Sequence, residues 1–231
     1  MAEHLPISKS VLIPIDSVEL EGDLQIPAAA SGVVLFAHGS GSSRHSSRNQ
    51  FVARVIREHG IGTLLFDLLT RDEEAVDTYT RHLRFDIDLL SKRLVAAAAW
   101  LADQTGSEHL SIGFFGASTG GAAALGAAAR LKGNVGAVVS RGGRPDLAGA
   151  SLSEVISPVL LIVGGNDDVV IELNQQAFAK LSCAKELKIV PGATHLFQEP
   201  GALETVAQLA AEWFARHFAT RQLTRAGTSQ G

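Results

Sequence analysis

Apolar and polar residues alternate over positions 18–26, where Val18, Leu20, Leu24 and Ile26 stand against polar neighbours, and residues 11–15 precede them across Asp16-Ser17. Period-two alternation marks a strand with one buried face, so the pattern predicts an N-terminal β-hairpin ended by Pro27. From residue 33 the pattern changes. Residues 33–37 are wholly apolar, as in a strand covered on both faces. Apolar positions at Phe51, Val52, Val55 and Ile56 then fall at helical spacing, and Gly60 stops that run. The unit recurs. Strand-like runs stand at 63–66, 110–115, 135–139, 159–163 and 187–190, with helical patterns at 85–101, 121–131, 171–181 and 204–218 and a weaker one at 147–156. Strands alternating with helices through short connections predict an α/β fold: a mostly parallel sheet, an antiparallel N-terminal hairpin, and helices on both faces. No linker breaks the rhythm, so residues 1–221 are expected to form one domain, with a disordered tail over 222–231.

Composition narrows the function classes. The chain has 231 residues, 46% of them apolar, with a formal net charge of −4 and scattered Lys and Arg. A nucleic-acid partner calls for a basic stripe, and none is present. The longest apolar run, residues 95–102, falls far short of the ~20 residues that cross a bilayer, so no membrane partner is expected. The N-terminus MAEHLPISKS lacks the layout of a signal peptide. A single cysteine, Cys183, allows no intrachain disulfide and fits a reducing, cytoplasmic setting. Without a His/Cys cluster, no metal site is expected either. The pattern leaves the oligomeric state open.

In parallel sheets the chemistry sits on the loops that leave the carboxyl ends of the strands. Three of those loops carry a nucleophile, an acid and a base, in that order. Gly116-Ala117-Ser118-Thr119-Gly120 matches the G-x-S-x-G elbow, follows a strand and opens an Ala-rich helix. The bland alternative is an N-cap serine in a Gly-rich turn. A serine hydroxyl needs a base, and the base an orienting acid. His195 is the one histidine of eight placed on a suitable loop downstream. Asp167 and Asp168 compete for the acid. The glycines before Asp167 favour it, whereas Asp168 is placed to cap the next helix. Backbone N–H groups of Ser40 and Thr119 are the natural oxyanion donors. His38 reads as a residue that holds its loop. The Gly39–Ser43 stretch lacks the ending of a phosphate-binding loop. Arg141 and Arg144 bracket a Gly-Gly turn and suit either an acidic substrate or surface ion pairs. Arg71, Arg81 and Arg84 read with residues 72–77 as a solvated loop and helix start. Cys183, Trp100 and Trp213 read as packing residues.

The segments VLFAHGSGSSRHSSRN, FFGASTGG, VVSRGGRPDL, LLIVGGNDDVV and VPGATHLFQEPGALE resemble the α/β-hydrolase superfamily, and within it the dienelactone hydrolase-like branch, over about residues 33–218. They also resemble the hydrolase module fused to phosphoribosyltransferase domains in some bacterial proteins, although no pyrophosphate-binding motif of such a transferase is visible. The resemblance implies Ser118 as nucleophile, Asp167 as acid and His195 as base, with no metal or organic cofactor. Dienelactone hydrolases carry cysteine where this chain has Ser118, which favours a serine carboxylesterase acting on a small-molecule ester. Lactone, thioester or amide hydrolysis is the alternative within the fold. A catalytically silent binding scaffold is the alternative outside enzymology.

Overall fold

The computed structural model describes residues 5–105 and 110–228. Strands β1 (Ile7–Ile15) and β2 (Val18–Ile26) form the antiparallel hairpin, with Ile7 opposite Ile26 and Ile15 opposite Val18. β1 extends further toward the N-terminus than its apolar run, because the polar residues 8–10 still complete backbone pairs with β2. The chain continues through β3 (Gly32–Ala37), α1 (Ser47–Glu58), β4 (Gly62–Phe66), α2 (Arg71–Thr80) and α3 (Ile87–Thr105). Then come β5 (Ser111–Ala117), α4 (Thr119–Leu131), β6 (Val135–Arg141), β7 (Val159–Gly164), α5 (Asp168–Lys180), β8 (Lys185–Val190) and α6 (Ala202–Thr228). The eight strands lie in the order β1-β2-β4-β3-β5-β6-β7-β8. β2 meets β4 antiparallel, and every pairing from β4 to β8 is parallel.

Side-chain alternation divides the core in two. On β3, Val33, Leu35 and Ala37 join α3, α4 and α5 on one face. Val34 and Phe36 join α1 and α6 on the other. Both faces are therefore apolar, which is why this strand reads as a continuous hydrophobic run. After β3 the chain passes to β4 on one side, then returns to β5 on the other. The carboxyl ends of β3 and β5 thus flank the point where the strand order reverses, the place where open α/β sheets form a crevice.

Three further elements differ from the sequence expectation. Residues 72–77, expected with Arg71, Arg81 and Arg84 as a solvated loop and helix start, lie within the complete helix α2, which has a capping box between Thr70 and Glu73. The weak helical pattern at 147–156 becomes 3-10 turns over Pro145–Glu154, kinked at Gly149 (φ 56°). α6 runs to Thr228, into the expected tail, since backbone bonding needs no apolar face and no glycine or proline intervenes before Gly227. Residues 229–231 of that tail lie outside the described residues. Among the described residues no helix is long and apolar enough to cross a membrane.

Candidate active site

Ser118 links β5 to α4 at φ 51°, ψ −121°, a left-handed backbone region that non-glycine residues rarely occupy. Such strain costs about 1–3 kcal/mol and persists only where the surroundings enforce it. Here they do. The Ser118 N–H donates to the Arg141 carbonyl (3.2 Å), and the Ser118 carbonyl accepts from Gly121 and Arg144 N–H (3.0 Å each). The elbow's outer residues must lack side chains. A Cβ on Gly116 would lie 2.3 Å from the Gly120 carbonyl oxygen, and one on Gly120 would lie 2.1 Å from the Ala37 carbonyl oxygen.

The loops that carry Asp167 and His195 are tied together. Gly165 N–H donates to the Val190 carbonyl (2.8 Å) and Asn166 N–H to the Ala193 carbonyl (2.9 Å). The Asn166 side chain adds a bond to the Gly192 carbonyl (3.0 Å). This clasp brings His195 Nδ1 to 2.7 Å from Asp167 Oδ2. A carboxylate only accepts, so Nδ1 carries the proton and Nε2 is left with its lone pair. Of the two neighbouring aspartates, Asp167 is the one bonded to His195. Asp167 occupies the N-cap position of α5 but makes no side-chain cap bond, while Asp168 is the first helical residue and is exposed.

Ser118 and His195 line one cavity of about 220 Å³, together with Gly39, Ser40, Arg48 and Arg141. No hydrogen bond joins the Ser118 hydroxyl to His195 among the described residues; catalytic bonds of this kind often tighten only around substrate. Gly39 packs against the Ser118 side chain, a Cβ there falling 3.2 Å from Ser118 Cβ. The Thr119 N–H, in the first turn of α4, has no intrahelical acceptor. That of Ser40 meets no backbone acceptor among the described residues.

His38 holds the loop after β3, as its position suggested. Its Nε2 accepts from Leu68 N–H (3.0 Å), so Nδ1 is protonated and faces the Gly39 carbonyl (2.9 Å). Burial holds its pKa below the ordinary histidine value, against smaller opposing effects of the Gly39 carbonyl and the Asp67 and Glu74 charges. A larger cleft of about 610 Å³ adjoins it, with neither Ser118 nor His195 in its lining. Arg44, on its wall, is paired with Glu21, Asp23 and Asp67.

The two arginines of the Gly-Gly turn part company. Arg144 binds Asp146 through two parallel bonds (2.9 and 2.8 Å). Arg141 is only 6% exposed and has no carboxylate partner among the described residues. Its Nη2 reaches Asn49 Oδ1 at 3.3 Å, and its guanidinium lies 5.7 Å from the centroid of the Phe197 ring. Burial, with the nearby Arg48 charge, pulls its pKa down to about 10, so it stays charged near neutrality. Asn49, Asn166 and Arg48 were not singled out by the sequence. Asn166 beside Asp167 was the one with a visible signal, in its place on a strand-end loop. Among the described residues, no three His, Cys, Asp or Glu side chains are grouped to hold a metal ion.

A largely parallel sheet in this order, with a strained serine at the end of β5 and the Asp-His pair on the loops after β7 and β8, defines an α/β-hydrolase fold. A sequence model of the dienelactone hydrolase family matches residues 20–220, and the chain belongs to that family. It is similar to the dienelactone hydrolase from Anabaena variabilis, 56% identical with a TM-score of 0.89 over 93% of this chain and 99% of that one. An esterase of Pyrococcus furiosus shares the fold at 19% identity, TM-score 0.74, over 92% of this chain and 94% of that one. Two curated Mycobacterium tuberculosis proteins, provisionally named phosphoribosyl transferases, are each 55% identical over 209 residues. Those residues are 90% of this chain but 46% of each relative, so the chain spans about half the length of the curated relatives it matches.

Proposed function

We propose that the protein is a serine carboxylesterase that cleaves small acyl esters through an acyl-enzyme on Ser118. The observation that carries the reading is His195, held at Nδ1 by Asp167 (2.7 Å) and lining the same cavity as the strained Ser118. His195 Nε2 takes the hydroxyl proton as Ser118 Oγ bonds to the ester carbonyl carbon. The oxyanion of the tetrahedral intermediate accepts from Ser40 and Thr119 N–H, each donor contributing about 10²–10³ in rate. The intermediate collapses, the carbon–oxygen bond to the alcohol breaks, and the alkoxide takes the proton from His195. Water then repeats the cycle on the acyl-enzyme and releases the acid. Asp167 fixes the tautomer throughout and stabilises the transient imidazolium.

Lactones, thioesters and amides would meet the same groups, and the pocket decides among them. Phosphoribosyl transfer is not part of this reading. The test is Ser118→Ala assayed on short aryl esters beside the wild type. Loss of at least ~10⁴-fold in kcat is expected; an unchanged rate would remove the proposal.

A further inference from the structure

The cavity at Ser118 contains more positive charge than the hydrolytic chemistry uses. Arg141, at the end of β6, is more than nine-tenths buried, and its Nε meets no hydrogen-bond partner among the described residues. Arg48, in the first turn of α1, lines the same cavity, and its Nε is likewise buried and unpartnered. Neither forms an ion pair among the described residues, whereas Arg44, Arg84, Arg93 and Arg144 all do. Two uncompensated guanidinium groups facing one small cavity repel each other and forgo hydration, a cost that an anion between them removes. The first turn of α1 adds to the field. It contains no acidic residue, and its capping residue Ser46, whose hydroxyl accepts from Asn49 N–H, lines the cavity too, so the positive end of the helix lies beside the same space. Arg141 is also fixed in place. Ser118 N–H is bonded to its carbonyl, Asn49 holds its Nη2, and Phe197, two residues after His195, packs beside its guanidinium.

We propose that Arg141 and Arg48 form a subsite for an anionic group carried by the substrate, and that their two charges select a phosphoryl dianion over a carboxylate. The proposal depends on the esterase reading for the bound molecule being a substrate. The subsite itself depends only on the arginines. A planar guanidinium fork matches either anion geometrically, but a monocarboxylate balances one cation and leaves the other bare.

The test has two arms. In the first, enzyme-dependent kcat/KM is measured for aryl esters whose acyl chain ends in a phosphonate, a carboxylate or a methyl carboxylic ester, and for acetates of alcohols with the same three ends. In at least one set the phosphonate is expected to lead and the neutral compound to trail, by at least ~10-fold. Arg48→Gln, on the half-buried member, and Arg141→Met should each shrink that charged-to-neutral ratio about tenfold or more. A neutral ester that matches both charged ones in both sets, or a ratio that survives both substitutions, overturns the subsite. A carboxylate that outruns the phosphonate overturns the dianion assignment. The second arm reads binding without turnover: calorimetric titration of Ser118→Ala with inorganic phosphate, then again with Arg48→Gln or Arg141→Met added. Binding at least ~10-fold weaker in the double variants is expected, and unchanged binding counts against the subsite. If no ester is turned over but phosphate binding depends on the arginines, the esterase reading fails and the subsite stands.

Discussion

Ser118 and Asp167 are both set in place by neighbouring residues outside the proposed triad. The serine's positive φ is permitted because Gly116 and Gly120 leave room for the carbonyl oxygens of Gly120 and Ala37. That requirement was legible as G-x-S-x-G, since steric necessity is written directly as missing side chains. The choice between Asp167 and Asp168 was not fully legible, because one residue of register separates a carboxylate aimed at His195 from one exposed at the start of α5. The Asn166 clasp decides it. The two aspartates therefore give a paired prediction. Asp167→Asn keeps the shape but offers His195 an amide that disfavours the working tautomer, so kcat on a short aryl ester should fall by about 10⁴-fold. Asp168→Asn, at an exposed position, should stay within severalfold of wild type in the same assay.

At the scale of elements, α2 shows where sequence reading lost information. Residues 71–80 lack an apolar stripe, and a run of Asp and Glu reads as solvated. The helix is held by charge instead. Glu73 closes the capping box with Thr70 and pairs with the buried Arg93 of α3 at 2.6–2.7 Å. Arg93 also donates to the Leu68 carbonyl, and the Leu68 N–H in turn donates to His38. One polar chain thus runs from α3 to the loop that bears Ser40. Asp77, fully buried on α2, accepts from Leu83 N–H and from the Arg84 guanidinium. Burial alone would raise its carboxyl pKa, but the Arg84 bond and the two backbone donors outweigh it and hold the pKa below the ordinary aspartate range. A depressed folded-state pKa contributes stability that is present above the unfolded value and is lost as the pH falls through the folded one. Asp77→Asn should therefore cost about 1.5–3 kcal/mol near neutrality. The gap to wild type should narrow once the pH drops below about 4, as urea unfolding across that range would record. A gap that widens toward acid would contradict the assigned sign.

For the whole molecule, the pattern of 33–37, 63–66 and 159–163 made the sheet legible, because strands buried on both faces are almost wholly apolar. The convergence of loops was legible too, as a rule about the carboxyl ends of parallel strands. What lay hidden was the meeting of distant residues at one cavity: Arg48 and Asn49 from α1 and Arg141 from β6 share no sequence signal, and Phe197 beyond β8 packs beside Arg141. Strand order brings them together, and strand order is a property of the complete chain. The central claim, that Ser118 is a nucleophile activated by His195, concerns this assembled site rather than any single loop. Its most direct measurement is labelling of the native protein by a fluorophosphonate probe, with the modified residue located by peptide mass spectrometry. The account predicts one label per chain, on Ser118, and its loss in His195→Ala protein that remains folded. A folded wild-type protein that resists the probe, or accepts it on another residue, would contradict it.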